Sequence, residues 1–157
     1  MSAWLAKDAL KGFGGSLVMT VHGQRTVVGG MRNGQTVADM QAEEMRTVGT
    51  RKIQSNPNGA TLSGTGNIYY GSNIFTDIVL DYIKTGHMTQ FDIQITNNDP
   101  STSVGSQVMA YYGCTLTGEI PLSVLDSEEA MLNYDFEFAY TDVERLQAFN
   151  DPAKLGN

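Results

Sequence analysis

The stretch Leu132-Asn133-Tyr134-Asp135-Phe136-Glu137-Phe138-Ala139-Tyr140 decides the fold, because large apolar side chains occupy every second position in it. Successive side chains of a β-strand point to opposite faces of the sheet, so this alternation predicts a strand with one apolar and one polar face. One-sided strands are typical of antiparallel sheets with one solvated face. We therefore expect a sheet whose core is built partly from these aromatic side chains.

Other segments of the chain alternate in the same way, at residues 16–22, 91–96 and 108–116. The segment His22-Gly23-Gln24 predicts a hairpin turn after the first of them. Segments 36–48 and 61–70 are longer, and the polar stretch between them contains Asn56-Pro57-Asn58-Gly59. We expect a long hairpin here, with an extended, mobile loop at residues 49–60.

One segment, residues 73–85, has helical rather than strand periodicity. Its apolar residues recur at four-residue spacing and form a single stripe. Ser72 or Asn73 can cap its start, and Gly86 suits a left-handed end. The predicted fold class is mainly β, a sandwich or barrel with one flanking α-helix. We expect a β-rich domain at residues 16–141 between an N-terminal arm (1–15) and a C-terminal tail (142–157).

Composition excludes several classes of protein. The 157 residues correspond to about one domain, and 17 acidic against 10 basic residues leave a net charge of −7. This balance lacks the basic footprint of nucleic-acid binding. The single cysteine, Cys114, excludes an internal disulfide framework. No apolar run has the length of a membrane helix. We expect a soluble protein made inside the cell, with no stable membrane insertion.

The sequence contains no set of residues with the types and spacing of a known catalytic site. His22 and His87 do not have the spacing of metal ligands. Cys114 lies within a predicted strand, where a buried, inert thiol is favoured over a nucleophile. Asp135 and Glu137 share a strand face, as a glycosidase pair could, but solvated carboxylates explain them as well. We therefore predict that the protein is not an enzyme and has no catalytic residues, cofactor or metal ion.

The predicted strands offer more apolar surface than one small barrel can bury. Several apolar residues need to be shielded from water, and they are Leu122, Val124, Leu125 and the arm residues Trp4 and Phe13. Long uncovered strands are edges, and soluble proteins either blunt such edges or pair them with another chain. Self-assembly explains this excess. The alternative that stays open is a monomeric sandwich that buries these residues internally.

The order of several segments resembles a known family. They are Gly14-Gly15-Ser16-Leu17-Val18-Met19, then Thr61-Leu62-Ser63-Gly64-Thr65-Gly66 running into the helix, then Asn98-Asp99-Pro100 and Gly118-Glu119-Ile120-Pro121. Together they resemble the tail tube proteins of tailed bacteriophages, nearest those of Bacillus defective prophages and phage-tail-like bacteriocins. The resemblance covers residues 10–141, and residues 29–35 look like a short insertion that leaves the register of the next strand open.

This resemblance implies a structural protein without catalysis. Tail tube proteins assemble into stacked homohexameric rings whose strands form an inner β-barrel around a channel. The resemblance implies partners of the tail sheath, tape-measure, baseplate and tail-terminator kinds. It also implies DNA or ions that pass without specific binding, and a location in the virion tail after assembly in the bacterial cytoplasm. The loop at 49–60 would reach an adjacent ring.

The resemblance also suggests roles for individual residues. An acidic wall repels DNA phosphates, so we expect these residues to line the channel: Asp39, Gln41, Glu43, Asp135 and Glu137. We expect contacts between subunits or rings from Trp4, Phe13, Arg51, Lys52, Asn56, Asn58 and Phe149. Gly64 and Gly66 are expected to be small because strands cross or bend closely there.

Two other functions remain open from the sequence. A tube protein of a bacterial contractile injection or secretion system fits the same fold. A monomeric β-sandwich that binds a ligand is a different class, and it would gather exposed aromatic side chains in one cleft. Tyr69, Tyr70, Tyr111 and Tyr112 are the candidates for such a cleft.

Overall fold

The computed structural model describes residues 15–71, 73–99 and 102–150, and these form eight strands and one helix. In chain order the elements are β1 (Gly15–Val21), β2 (Gln24–Val27), β3 (Met31–Arg46), β4 (Ile53–Tyr69), α1 (Ile74–Thr85), β5 (Phe91–Asn98), β6 (Ser106–Thr117), β7 (Asn133–Ala139) and β8 (Asp142–Gln147). The predicted class, mainly β with one helix, is confirmed.

All strand pairs in the described part of the chain are antiparallel, along the path β2-β1-β5-β6-β7-β4-β3. Strand β8 lies off this path and pairs with β6. Strands β2 and β3 are the two ends of the path and do not pair with each other, so within the described residues the sheet is open rather than a closed barrel.

Strand β6 joins the two halves of the sheet. Its first part pairs with β5 and β8, whereas its last residues pair with β7. Between these parts lies Gly113, with a positive φ of 65° and a shift in the register against β5. A glycine adopts this left-handed conformation at little cost. The irregularity at Gly113 lets one strand serve both halves.

The core lies between the apolar side of the sheet and α1. The aromatic residues that alternate along β7 are buried, and the ring of Phe75 in α1 stacks on Phe136 at 4.4 Å between centroids. Helix α1 ends at Gly86, whose N–H donates to the carbonyl of Tyr82 at 2.8 Å. Asn73 occupies the predicted N-cap position, but its side chain makes no capping hydrogen bond. The other candidate, Ser72, lies outside the described residues.

The first hairpin has the predicted turn. Val21 pairs with Gln24, and the two residues between them have φ values of 51° (His22) and 80° (Gly23). Positive φ at both central positions is typical of a type I′ turn, whose twist matches that of the flanking strands. The hairpin prediction is confirmed.

The second hairpin is more regular than predicted. Pairing of β3 with β4 continues as far as Arg46 opposite Ile53, so residues 53–60 are strand and only residues 47–52 connect. The predicted loop at 49–60 is wrong in this part. Asn58 has no Cα partner, because Gln41 lies opposite Gly59 and the next residue lies opposite Pro57. This bulge takes up a turn-like sequence without ending the strand.

Two further boundaries differ from the sequence prediction. Residues 142–147, assigned to a tail, form β8 along the first part of β6, so the sheet continues past residue 141. All six residues of β8 are exposed, which is why they carry no apolar signal. Strand β3 begins within the apparent insertion at 29–35, and Arg32 is the extra residue at a register shift.

Candidate assembly surfaces

The five residues predicted to line a channel share one face of the sheet. Opposite residues of paired antiparallel strands lie on the same face. Gln35 lies opposite Thr65, and Thr65 lies opposite Glu137. Alternate residues along β3 and β7 continue this face, which we call the polar face. It contains these exposed members of the predicted set: Asp39, Gln41, Glu43, Asp135 and Glu137.

Sequence reasoning missed the contribution of β4 to the polar face. Its members there alternate with apolar residues and glycines, and they are Thr61, Ser63, Thr65 and Asn67. The polar positions in this alternation were a usable signal. They show that the polar face continues from β3 across β4 to β7, with Val37 as an exposed apolar member.

Asn67 ties the end of this face together. It is 8% exposed, and its amide nitrogen donates to Oδ1 of Asp135 at 2.8 Å and to Oδ1 of Asn133 at 3.1 Å. Arg32 donates to its Oδ1 at 3.4 Å. A buried amide with its bonding capacity used on both sides fixes its neighbours. Asp135 and Arg32 are thus both bonded to the same amide group.

The opposite side of β4 carries the two predicted packing glycines. A Cβ on Gly66 would lie 2.7 Å from Cζ of Phe136, and one on Gly64 would overlap the ring of Phe138. The closest neighbours are therefore aromatic rings of β7, and at Gly66 the backbone oxygen of Asn33 in β3 also lies 3.2 Å from the Cβ position. Glycine at these positions lets the rings lie flat against the backbone of the neighbouring strand, a cross-strand arrangement used in natural sheets.

Beyond the core, β3 and β4 continue as a two-stranded extension, residues 37–46 with 53–62, which we call the ribbon. Strand β7 pairs only with residues 63–69 of β4, so both outer edges of the ribbon lack a partner strand in the described chain. Its residues are exposed except for partly covered Leu62. Each outer edge therefore presents unpaired backbone groups that another strand can bond.

The base of the ribbon is anchored by tyrosines. The hydroxyl of Tyr140 donates to the backbone carbonyl of Val37 at 2.9 Å. The ring of Tyr140 packs edge-to-face on Tyr111, with centroids 4.9 Å apart. Both tyrosines are buried, so the start of the ribbon has a fixed direction relative to the core. The side chains of its far part are exposed within the described part of the chain.

The predicted contact residues lie in different places. Arg51 and Lys52 are exposed in the connection at the tip of the ribbon, and Asn56 and Asn58 are exposed along β4. Phe149 is half-buried, and the N–H of the next residue donates to the carbonyl of Val104 at 2.8 Å. The remaining two, Trp4 and Phe13, lie outside the described residues.

The described residues hold no group of three or more histidine, cysteine, aspartate or glutamate side chains placed to bind a metal ion. Cys114 is fully buried, and burial together with the nearby negative charge of Asp92 raises its pKa to about 12. A thiol in this state is a poor nucleophile. No described helix has both the length and the apolar character needed to cross a bilayer.

The four tyrosines proposed for a ligand cleft do not come together on one surface. Tyr111 is buried in the core, with 4% of its surface exposed, whereas Tyr69 ends β4 and is 40% exposed. Tyr70 packs edge-to-face on Tyr134 at 6.4 Å, and Tyr112 donates to Glu144 of β8 at 3.2 Å. The arrangement gives no support to an aromatic binding cleft.

Comparisons with known proteins identify a family for this chain. Residues 5–147 match the family model described as "Phage tail tube protein". The phage-like element PBSX protein XkdM of Bacillus subtilis strain 168 is 25% identical over 114 residues, which cover 73% of this chain and 73% of that protein.

Two solved structures share the fold. The tube terminating cap of the anti-feeding prophage has a TM-score of 0.65 at 12% identity, over 94% of this chain and 97% of that chain. The SPP1 tail tube has a TM-score of 0.62 at 10% identity, over 94% of this chain and 83% of that chain. Because the sequence identities are this low, the two comparisons show a similar fold and nothing further.

Proposed function

This chain belongs to the phage tail tube protein family, and on that premise we propose that its copies form hexameric rings that stack into the hollow tube of a phage tail or phage-tail-like particle. The resemblance to phage tail tube proteins, nearest those of Bacillus defective prophages and phage-tail-like bacteriocins, is confirmed by the family match and by the relative XkdM. Ring formation and the channel are the parts that we propose.

The observation that carries the proposal is the open edge of the sheet. Strand β3 is 16 residues long, and its outer edge has no partner in the described chain. A monomer with an exposed edge of this length is prone to pair with other chains. A ring of copies would remove this liability, because each β3 would pair with the neighbouring subunit and the sheets would close into a barrel.

The polar face would line the channel of such a ring. It carries four carboxylates, Asp39, Glu43, Asp135 and Glu137, with Arg32 at its end. Negative charge on the wall would repel DNA phosphates and let DNA slide instead of bind. The opposite face of the sheet is committed to the core near β7, which leaves the polar face as the side able to meet an aqueous lumen.

The remaining parts of the proposal follow from a structural role. We expect contacts with sheath, tape-measure, baseplate and terminator proteins, and assembly in the bacterial cytoplasm before incorporation into the tail. No catalysis is expected, and the buried, weakly acidic thiol of Cys114 agrees with that expectation.

Negative-stain electron microscopy with light-scattering mass, on the purified chain over a range of concentrations, tests the assembly. Rings or hollow tubes with six-fold end views are expected. A matched variant replaces residues 41–59 by Asn-Gly, joining Met40 to Ala60, which lie opposite each other in the hairpin. This variant keeps the core and should remain a folded monomer.

The outcomes are distinct. Six-fold rings of the natural chain and monomers of the shortened variant support the proposal. A natural chain that stays monomeric at every concentration, or that forms assemblies of another symmetry, contradicts it. Tubes of normal appearance from the shortened variant would show that the ribbon is not needed.

A further inference from the structure

Residues 118–132, between β6 and β7, form a loop with neither helix nor strand. Connections of this length without regular structure are uncommon and usually functional. The loop has four carboxylates, at Glu119, Asp126, Glu128 and Glu129, and no lysine or arginine. It also exposes apolar side chains: Leu125 is 98% exposed, Met131 is 65% exposed and Leu122 is 51% exposed. We call this segment the acidic loop.

The tip of the ribbon has the opposite charge. Residues 45–53 contain Arg46, Arg51 and Lys52 and no acidic residue. The tip is also apolar in the same way as the loop, since Val48 is fully exposed and Ile53 is 50% exposed. Exposed apolar groups ringed by charge mark interaction surfaces. The chain thus has two such surfaces of opposite sign.

The strand register places these surfaces at opposite ends of the molecule. The tip is closed by Arg46 opposite Ile53, at the start of β4. The other end of β4, Tyr69, lies opposite Asn133, the residue that directly follows the acidic loop. The 17 residues of β4 span about 50 Å at roughly 3.3 Å per residue. The tip therefore cannot reach the acidic loop of its own chain.

We propose that the ribbon tip of one copy docks on the acidic loop of a second copy in the neighbouring ring. This inference rests on the proposed function and specifies the partner surface of the ribbon. Complementary charge would orient the two surfaces, and the apolar residues Val48 and Leu125 would be covered together.

The proposed contact of tip and loop would account for the stacking of rings. A contact between two different ends of the same molecule is head-to-tail, and repetition of such a contact without closure gives an open filament. Pairing of β3 edges would close each ring, whereas the contact of tip and loop would add ring to ring. The two directions of assembly would then depend on separate residues.

Cross-linking between mixed copies tests the contact directly. Val48→Cys and Leu125→Cys variants are mixed during assembly and oxidised. The control mixes Val27→Cys, at an exposed position of β2, with Leu125→Cys. The native Cys114 is buried and will not compete. A cross-linked dimer from Val48 and Leu125 in excess of the control is expected, and equal or absent cross-linking overturns the inference.

Reversing the charges of the ribbon tip and of the acidic loop tests whether their attraction stabilises the contact. Arg51→Glu with Lys52→Glu, and separately Glu128→Lys with Glu129→Lys, should leave rings but reduce sedimentable tubes by about tenfold or more, because like charges would face each other. All four residues are exposed, so the fold should survive. The combined variant restores opposite charges and should recover tubes.

The results separate this inference from the proposed function. If the natural chain forms tubes and each charge-reversed variant forms them equally well, the docking surface is wrong while the tube function stands. A combined variant that recovers no tubes also overturns the docking. If the natural chain forms no rings at all, the proposed function fails, and the docking fails with it.

Discussion

The hydroxyl oxygens of Thr36 and Tyr111 lie 2.6 Å apart, although 75 positions separate the two residues in the chain. Their hydrogen bond joins the edge strand β3 to β6 near the middle of the sheet. Together with the bond from Tyr140 to the carbonyl of Val37, it fixes the point where the ribbon leaves the core. The direction of the ribbon is thus set by side chains that the sequence alone does not bring together.

We expect the bond between Thr36 and Tyr111 to stabilise the fold measurably. Thr36→Val and Tyr111→Phe should each lower the free energy of unfolding by about 1 kcal/mol, the usual net value of such a bond. The double variant should lose less than the sum, because both changes remove the same interaction. Urea unfolding measures this, with Tyr82→Phe at an exposed position as control. Strictly additive effects would show that the bond contributes nothing.

Substitution of Gly66 should disrupt the aromatic layer. Gly66→Val would push the ring of Phe136 away from the backbone of β4, and overpacking of this kind costs about 1–3 kcal/mol. Thr65→Val, one residue away on the polar face, should change stability little. Thermal or urea unfolding compares the two variants. Equal stability of Gly66→Val and the natural chain would remove the packing explanation for this glycine.

Charge on the polar face should affect DNA, whereas charge on the other face of the ribbon should not. Glu43 and Glu44 are adjacent in β3 and therefore point to opposite faces. In assembled tubes, Glu43→Lys should increase retention of duplex DNA protected from nuclease, and adding Asp39→Lys should increase it further. Glu44→Lys is the matched control. The same retention in both single variants would exclude the polar face as the channel wall.

The thiol of Cys114 should be unreactive until the protein unfolds. Its pKa of about 12 lies above the ordinary value of 9.0, so the thiolate fraction at mildly alkaline pH is about a thousandfold lower than in the unfolded chain. Alkylation by iodoacetamide at about pH 8.5 should be fast in denaturant and negligible without it.

The raised pKa of Cys114 also makes the stability of the fold depend on pH. The folded pKa of Cys114 is raised, so the neutral thiol contributes its full stability below about pH 9 and loses that contribution as the pH rises toward about 12. Rapid alkylation of the folded chain would contradict the buried position of this side chain.

The sequence predicts much of the fold because several elements can be identified from short stretches of the chain. The aromatic alternation of β7, the stripe of α1 and the turn at His22 and Gly23 each follow from short-range rules, and all three are confirmed. The resemblance adds the order of the elements and the family.

Strand β8 and the first part of β4 could not be predicted from the sequence, for physical reasons. Strand β8 is exposed throughout, so its pairing depends on backbone bonds to β6 rather than on an apolar pattern. The start of β4 contains Asn56-Pro57-Asn58-Gly59, which favours a turn, but here a bulge absorbs one residue and Pro57 lies in an unsupported edge strand that tolerates proline.

The candidate surfaces were only partly predictable. Alternation alone puts Asp39, Gln41 and Glu43 on one face of β3, and Asp135 with Glu137 on one face of β7. That both sets share the polar face depends on β4 lying between the two strands, a long-range register that no local pattern contains.

In the assembly that we propose, the unsupported ribbon would also govern whether a subunit stays soluble before it joins a ring. Bare strand edges recruit strands indiscriminately, and charged side chains near such edges are a common means of preventing irregular aggregates. Glu43, Glu44 and Arg46 are exposed charged residues near the end of this edge strand, and such charges would repel a neighbour aligned so that like charges meet. Only a neighbour that also matches the rest of the surface offsets that repulsion. In the assembly that we propose, the length of the ribbon would therefore set a compromise between solubility before polymerisation and strength after it.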